Sequence, residues 1–125
     1  MQDGSKLILI VEDEPPLSEV LKDHFENEGF RIIVAKDGEE GLMLALSKKP
    51  DMILLDINLP KLSGLDMLKQ LRTYEAGKSI PAIALTNLND TKEVNEALAS
   101  GVSDFLVKAD WSVADVVESV RRKLG

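Results

Sequence analysis

Four short apolar runs in this chain each end on a polar residue that could do chemistry. Leu7 to Val11 runs into Glu12-Asp13-Glu14, Met52 to Leu55 into Asp56, Ala82 to Leu85 into Thr86, and Phe105 to Val107 into Lys108. Clustered acids suit a hard divalent cation such as magnesium, which takes oxygen ligands and keeps several waters. A lysine and a hydroxyl can both grip a phosphoryl oxygen. A lone buried acid can serve as a nucleophile and form an aspartyl phosphate. Brought together, these groups make a phosphoryl-transfer site, where positioning and charge neutralisation supply most of the catalysis. Each has a plainer reading alone, since a lone Asp or Thr at a strand end is commonly a turn or cap residue.

The elements must therefore bring four run ends to one place. Met52 to Asp56 is short, continuous and apolar, as expected of a strand buried on both faces of a parallel sheet. Pro60 cannot donate to a ladder, so that strand must end before it. Leu7–Val11, Phe30–Ala35, Ala82–Thr86 and Asp104–Val107 are the other expected strands. Helical spacing follows each. Leu17, Val20, Leu21 and Phe25 follow Pro15-Pro16 and stop at Gly29. Leu42, Ala45 and Leu46 follow the Asp37-Gly38 turn and stop at Pro50. Leu65, Leu68 and Leu71 follow Ser63-Gly64, and Gly77 and Pro81 bracket the next loop. Asn89-Asp90 can cap a fourth helix carrying Val94, Ala97 and Leu98, ended by Gly101. Ser112 and Asp115 resemble a capping box for a fifth helix with Val113, Val116, Val117, Val120 and Leu124. Arg121, Arg122 and Lys123 fall in its last turn, where the helix dipole favours cations.

Strand-helix alternation repeated five times implies an α/β doubly wound parallel sheet with helices on both faces. With strand order 2-1-3-4-5, a crevice opens between the first and third strands, at their carboxyl ends. That crevice would hold Glu12, Asp13 and Asp56. Carboxylates about 5 Å apart cost roughly 3 kcal/mol per pair at an effective dielectric near 20, and a bound cation removes the conflict.

Composition limits the alternatives. The 125 residues, 44% hydrophobic and 30% charged, predict one domain over 1–125 with a frayed start at 1–5. A net charge of −7 argues against direct nucleic-acid binding. The absence of Cys excludes disulfides and thiolate chemistry. No apolar run approaches a membrane span and no secretion signal opens the chain, so a cytoplasmic location is expected.

Over almost its whole length the sequence resembles a response-regulator receiver domain of two-component signalling. Glu12-Asp13, the run Leu55-Asp56-Ile57-Asn58-Leu59-Pro60, Gly64, Thr86, Phe105 and Lys108 carry the resemblance. It implies a flavodoxin-like (βα)5 fold with Asp56 as phosphoacceptor. Asp13 would bind Mg2+ directly, Glu12 through water, and Asn58 through its backbone carbonyl. Thr86 would be the switch hydroxyl, Phe105 the switch aromatic, and Lys108 the phosphate-binding lysine. The phosphoryl donor would be a histidine kinase or a histidine phosphotransfer protein, and small phospho-donors would substitute. The only reaction would be phosphorylation and dephosphorylation of its own Asp56. Output would pass through the fourth helix, fifth strand and fifth helix to a downstream protein or a second copy. The chain is expected to be a stand-alone receiver acting by docking, or one part of a longer protein.

Three positions depart from the family's usual pattern. Ala109 stands where proline in a cis bond is usual, Asn87 where a smaller residue is common, and Leu88 where side chains can shield the aspartyl phosphate from water. None removes a chemical group, so a competent site with altered kinetics is expected. Other functions fit less well. A phosphatase of the aspartyl-phosphate type would need a general acid two residues after Asp56, where Asn58 stands. A flavin site would need a glycine- and hydroxyl-rich phosphate loop after the first strand, where the three acids stand. A receiver-like module that is never phosphorylated would have no use for Asp13, Asp56, Thr86 and Lys108 together. His24, the single histidine, is read as a helix-surface residue, and Trp111 as packing under the last helix or marking a partner surface.

Overall fold

Each apolar run forms a strand: β1 Leu7–Val11, β2 Arg31–Ala35, β3 Met52–Asp56, β4 Ala82–Thr86 and β5 Asp104–Val107. The computed structural model of the chain describes residues 6–57, 59, 61–86, 95, 99, 102, 104–107 and 112–124. All neighbouring strands run parallel, in the order β2-β1-β3-β4-β5. The sheet order therefore matches the expected doubly wound arrangement, with its reversal between β1 and β3. Helices α1 (Pro15–Asn27), α2 (Gly38–Lys48) and α3 (Gly64–Leu71) join the first four strands, and a C-terminal helix, Val113–Leu124, follows β5. Asn95 and Ala99 are helical, while the expected cap Asn89-Asp90 and the stripe Val94, Ala97 and Leu98 lie outside the described residues.

Side chains alternate across a strand, so the same runs feed two cores. Ile8, Ile10, Met52, Leu54, Ile83 and Leu85 face α1 and the C-terminal helix, where Phe25 and Val120 meet them. Leu9, Val11, Ile53, Leu55 and Ala84 face the other way, onto Met67, Leu68 and Leu71 of α3 and Ala45 of α2. Every residue of β3 is buried, as its uninterrupted apolar run requires. Among the described residues no helix is long and apolar enough to cross a membrane.

Local signals hold with few adjustments. Asp37 caps α2 by accepting from the Glu40 N–H at 2.8 Å. Ser63 caps α3, accepting from the Asp66 N–H at 3.2 Å. The Ser112 N–H donates to Asp115 Oδ2 at 2.9 Å and the Asp115 N–H to Ser112 Oγ at 3.3 Å, a reciprocal capping box. Gly29 has φ +94°, the left-handed conformation expected where α1 stops. Two expectations shift. The buried stripe of α1 runs through Ser18, Leu21 and Phe25, and Val20 is 42% exposed on the outward side. Phe30 precedes β2 instead of opening it; its N–H is taken by the Phe25 carbonyl at 3.0 Å, and its ring packs edge-on against Phe25. After α3, Arg72 donates to the carbonyls of Gly77 at 2.7 Å and Ile80 at 2.8 Å, tying down the connection to β4. Burial of that guanidinium lowers its pKa from the ordinary arginine value.

Candidate functional site

The carboxyl ends of β1 and β3 are neighbours because Val11 pairs with Leu55. One step further on stand Glu12, just past β1, and Asp56, the last residue of β3. The Glu12 N–H still donates to the Ala35 carbonyl at 2.9 Å, which pins its backbone to β2. Glu12 is 2% exposed and Asp56 5%, whereas Asp13 lies open to solvent. One carboxylate oxygen from each of Glu12, Asp13 and Asp56 lies within 4.8 Å of the other two. Glu14 is exposed, and its N–H donates to Glu12 Oε2 at 3.2 Å. The structure thus separates the three consecutive acids: Glu12 and Asp13 join Asp56, and Glu14 does not.

These donors fit a magnesium ion. Metal–oxygen bonds of about 2.1 Å in an octahedron place ligand oxygens roughly 3 to 4 Å apart. Oxygens within 4.8 Å of one another need only a small adjustment or an intervening water. The donors are hard carboxylates, two of them buried, and their mutual repulsion is the conflict that a divalent cation relieves.

The segment leaving Asp56 is held closely. Asp56 pairs with Leu85 on β4, and the Ile57 N–H donates to the Leu85 carbonyl at 3.1 Å. The Gly64 N–H donates back to the Ile57 carbonyl at 2.9 Å. A Cβ on Gly64 would overlap the Asp56 carbonyl oxygen and stand 2.9 Å from Ile57 Cα. The first residue of α3 is therefore in contact with the backbone of the acidic site.

The N-terminus of α2 braces the same loop from the other side. A Cβ on Gly38 would overlap the Leu62 carbonyl oxygen. Lys61 adopts a left-handed conformation, φ +66°, and its Nζ lies 3.6 Å from Asp37 Oδ2. The Asp37 carboxyl is held below the usual carboxylate range, chiefly by the Glu40 N–H and further by the charge of Lys61, against the opposing effect of burial. Asp37 and Gly38 were expected only as a turn. Nothing local in the sequence points from Asp37 to Lys61, because their meeting depends on how α2 packs beside α3.

Thr86 ends β4 opposite Val107, and Phe105 pairs with Ala84, so β5 extends the same sheet edge. The side chains of Thr86 and Phe105 lie outside the described residues. So do Asn58, Asn87, Leu88, Lys108, Ala109 and Trp111. His24 is exposed, with Nδ1 3.0 Å from the Val20 carbonyl oxygen, which agrees with its reading as a helix-surface residue.

The chain is similar to known proteins in sequence and in fold. The family model of the response regulator receiver domain matches residues 8–121. The DNA-binding dual master transcriptional regulator RpaA of Synechocystis is 34% identical over 117 residues, covering 94% of this chain and 48% of that protein. The alkaline phosphatase synthesis transcriptional regulatory protein PhoP of Bacillus subtilis is 38% identical over 104 residues, 83% of this chain and 42% of that protein. The chain thus spans about half the length of the curated relatives it matches. The receiver domain of the Francisella response regulator 1452 superposes with a TM-score of 0.88 at 31% identity, covering 96% of this chain and 97% of that one. The receiver domain of the sensor histidine kinase PA1611 from Pseudomonas aeruginosa has a magnesium ion coordinated in its active-site cleft. It superposes with a TM-score of 0.88 at 30% identity, covering 97% and 98% of the two chains. With the sheet order, the acidic cluster and the family match in agreement, this chain belongs to the response regulator receiver domain family.

Proposed function

We propose that this chain accepts a phosphoryl group on Asp56, with Mg2+, from a histidine kinase or a histidine phosphotransfer protein. The observation that carries the reading is the meeting of Glu12, Asp13 and Asp56 carboxylates, within 4.8 Å, at the end of the central strand. An Asp56 carboxylate oxygen attacks the phosphorus of a phosphohistidine. The P–O bond forms as the P–N bond breaks, and the imidazole leaves. Water later cleaves the acyl phosphate, so the chain turns over only its own modification. Bound magnesium would supply charge neutralisation on the phosphoryl oxygens. Asp13 would hold it directly, Glu12 through water, and Asn58 through its carbonyl. Lys108 and the Thr86 hydroxyl would grip phosphoryl oxygens. Incubation with a small phospho-donor and magnesium, followed by mass mapping, should place the group on Asp56. A modification mapped to Asp13 or Glu14 would overturn the assignment.

The metal reading predicts different consequences for adjacent acids. Asp13→Asn should weaken magnesium binding by about tenfold or more, as loss of a direct carboxylate ligand. Glu14→Gln, outside the cluster, should change it less than about twofold, the small effect of an exposed charge. Calorimetric titration of each variant measures the difference, and equal losses would mean that the wrong acid has been chosen.

Phosphorylation is proposed to alter a docking surface. The new group adds charge and acceptor oxygens beside Thr86. The Thr86 hydroxyl would move onto one of them, and Phe105 would turn inward to fill the vacated space. Phe105 has no hydroxyl, so packing alone sets the balance between its two states. The affected face, Asp90 to Leu124, would be read by a downstream protein or a second copy of the chain. Amide NMR shifts with beryllofluoride as phosphoryl mimic should concentrate there. Shifts confined to Glu12 through Leu21 would identify a different output face. One folded unit over 1–125 and a cytoplasmic location accompany this reading.

A further inference from the structure

The loop that leaves Asp56 is gripped by α2 at two described points. Leu62 presents its carbonyl oxygen to Gly38 so closely that no side chain fits there. Lys61, held at φ +66°, places its ammonium 3.6 Å from the Asp37 carboxylate. Asp37 is itself fixed, because its other oxygen accepts from the Glu40 N–H at 2.8 Å in capping α2. Its carboxylate is therefore pre-positioned by the helix, and Lys61 is the movable partner. Inside the loop, the Gly64–Ile57 hydrogen bond closes the turn onto the Asp56 backbone. A displacement of Lys61 and Leu62 is passed to Gly64, which touches both Ile57 and the Asp56 backbone.

We infer that Asp37 and Lys61 form a clamp between α2 and the β3–α3 loop, and act as positioning residues for the metal and phosphoacceptor site. The inference rests on the proposed reading of that site. Neither residue touches the reacting atoms. Lys61 acts through the loop backbone, and Asp37 acts through Lys61. The Asp37 pKa is lowered, chiefly by the Glu40 N–H, which favours the charged carboxylate that Lys61 faces.

The sign of one substitution separates this from simple charge effects. Lys61→Met removes a positive charge from the loop that leaves the acidic cluster. Through-space electrostatics alone would then strengthen magnesium binding. A clamp requires the opposite, since the loosened loop no longer holds the site in place. Methionine keeps the apolar stem and makes the same backbone demand at φ +66° as lysine does.

The experiment is calorimetric magnesium titration of the unphosphorylated chain, with thermal unfolding measured alongside. Lys61→Met is expected to weaken magnesium binding roughly threefold, the scale of an exposed ion pair. Its melting temperature should stay close to that of the wild type. Asp37→Asn keeps a capping side chain and should show a similar loss. The double variant should lose no more than either single one. Lys61→Arg should restore wild-type affinity, and the wild-type advantage should vanish in about 1 M salt, where screening reaches about 3 Å. Unchanged or tighter binding by Lys61→Met, or strictly additive losses, would overturn the clamp while leaving the site intact. A wild-type chain that binds no magnesium would overturn the underlying reading, and the clamp with it.

Discussion

Replacing Asp56 with asparagine is expected to reduce phosphoryl incorporation from a small donor to background, below about a hundredth of wild type, because the amide is not a competent nucleophile. The two side chains are nearly isosteric, so the fold should not suffer. Asp56 is 5% exposed and shares its site with two other acids. Removing one of three charges relieves repulsion of about 3 kcal/mol per pair at an effective dielectric near 20. The melting temperature of Asp56→Asn, measured without magnesium, should therefore stay within a few degrees of that of the wild type. This combination distinguishes loss of the acceptor from loss of the structure. Undiminished labelling of the folded variant would sink the assignment of Asp56.

Gly64→Ala is expected to have the second-largest effect, although the added methyl group carries no chemistry. Gly64 does not need glycine for its backbone angles, since Gly29 is the positive-φ glycine among the described residues. The need is steric, because a Cβ at Gly64 would overlap the Asp56 carbonyl oxygen and stand 2.9 Å from Ile57 Cα. These neighbours are backbone atoms within and just after a central strand, so relief must come from moving α3 or displacing Asp56. Overpacking of this kind costs about 1–3 kcal/mol or more. A displacement near 1 Å at a reacting group can cost about a hundredfold in rate. The Gly64→Ala chain should therefore melt lower and take up phosphoryl about a hundredfold more slowly. Gly29→Ala is the contrast. It carries the strain of φ +94° in open space, far along the chain from the acids, and should lose stability without losing the reaction. A Gly64→Ala rate within about twofold of wild type would show that the α3 contact does not position Asp56.

Much of this protein is legible in the sequence because the relevant information is local. Short apolar runs with no helical period specify β3 and its neighbours, and the turn and cap residues mark where each run stops. The Ser112–Asp115 pair caps its helix as its types and spacing predict, and Asp37 and Ser63, where the sequence marks helix starts, supply the caps of α2 and α3. Strand-helix alternation leaves few ways to wind a sheet, since crossovers are right-handed and the order must bury both faces. The candidate acids follow from the same logic, as polar residues that end otherwise buried runs.

Relations between side chains distant in the chain depend instead on the packed fold. Strand order and the family resemblance already assign Glu12 and Asp13, not Glu14, to the crevice; what the register Val11 to Leu55 and the turn into α1 add is the closeness of the three carboxylates. Val20 turns outward and Ser18 is buried instead, its hydroxyl donating to the Pro15 carbonyl at 3.2 Å, because packing against the sheet selects the buried stripe of α1. The nearness of Gly64 to the Asp56 backbone, and of Asp37 to Lys61, arises where α2 and α3 pack side by side. Periodicity encodes which face of an element is apolar, but not how far that element slides or tilts against its neighbour. Those last ångströms are set by the interlocking of whole side chains, and they determine the geometry around Asp56.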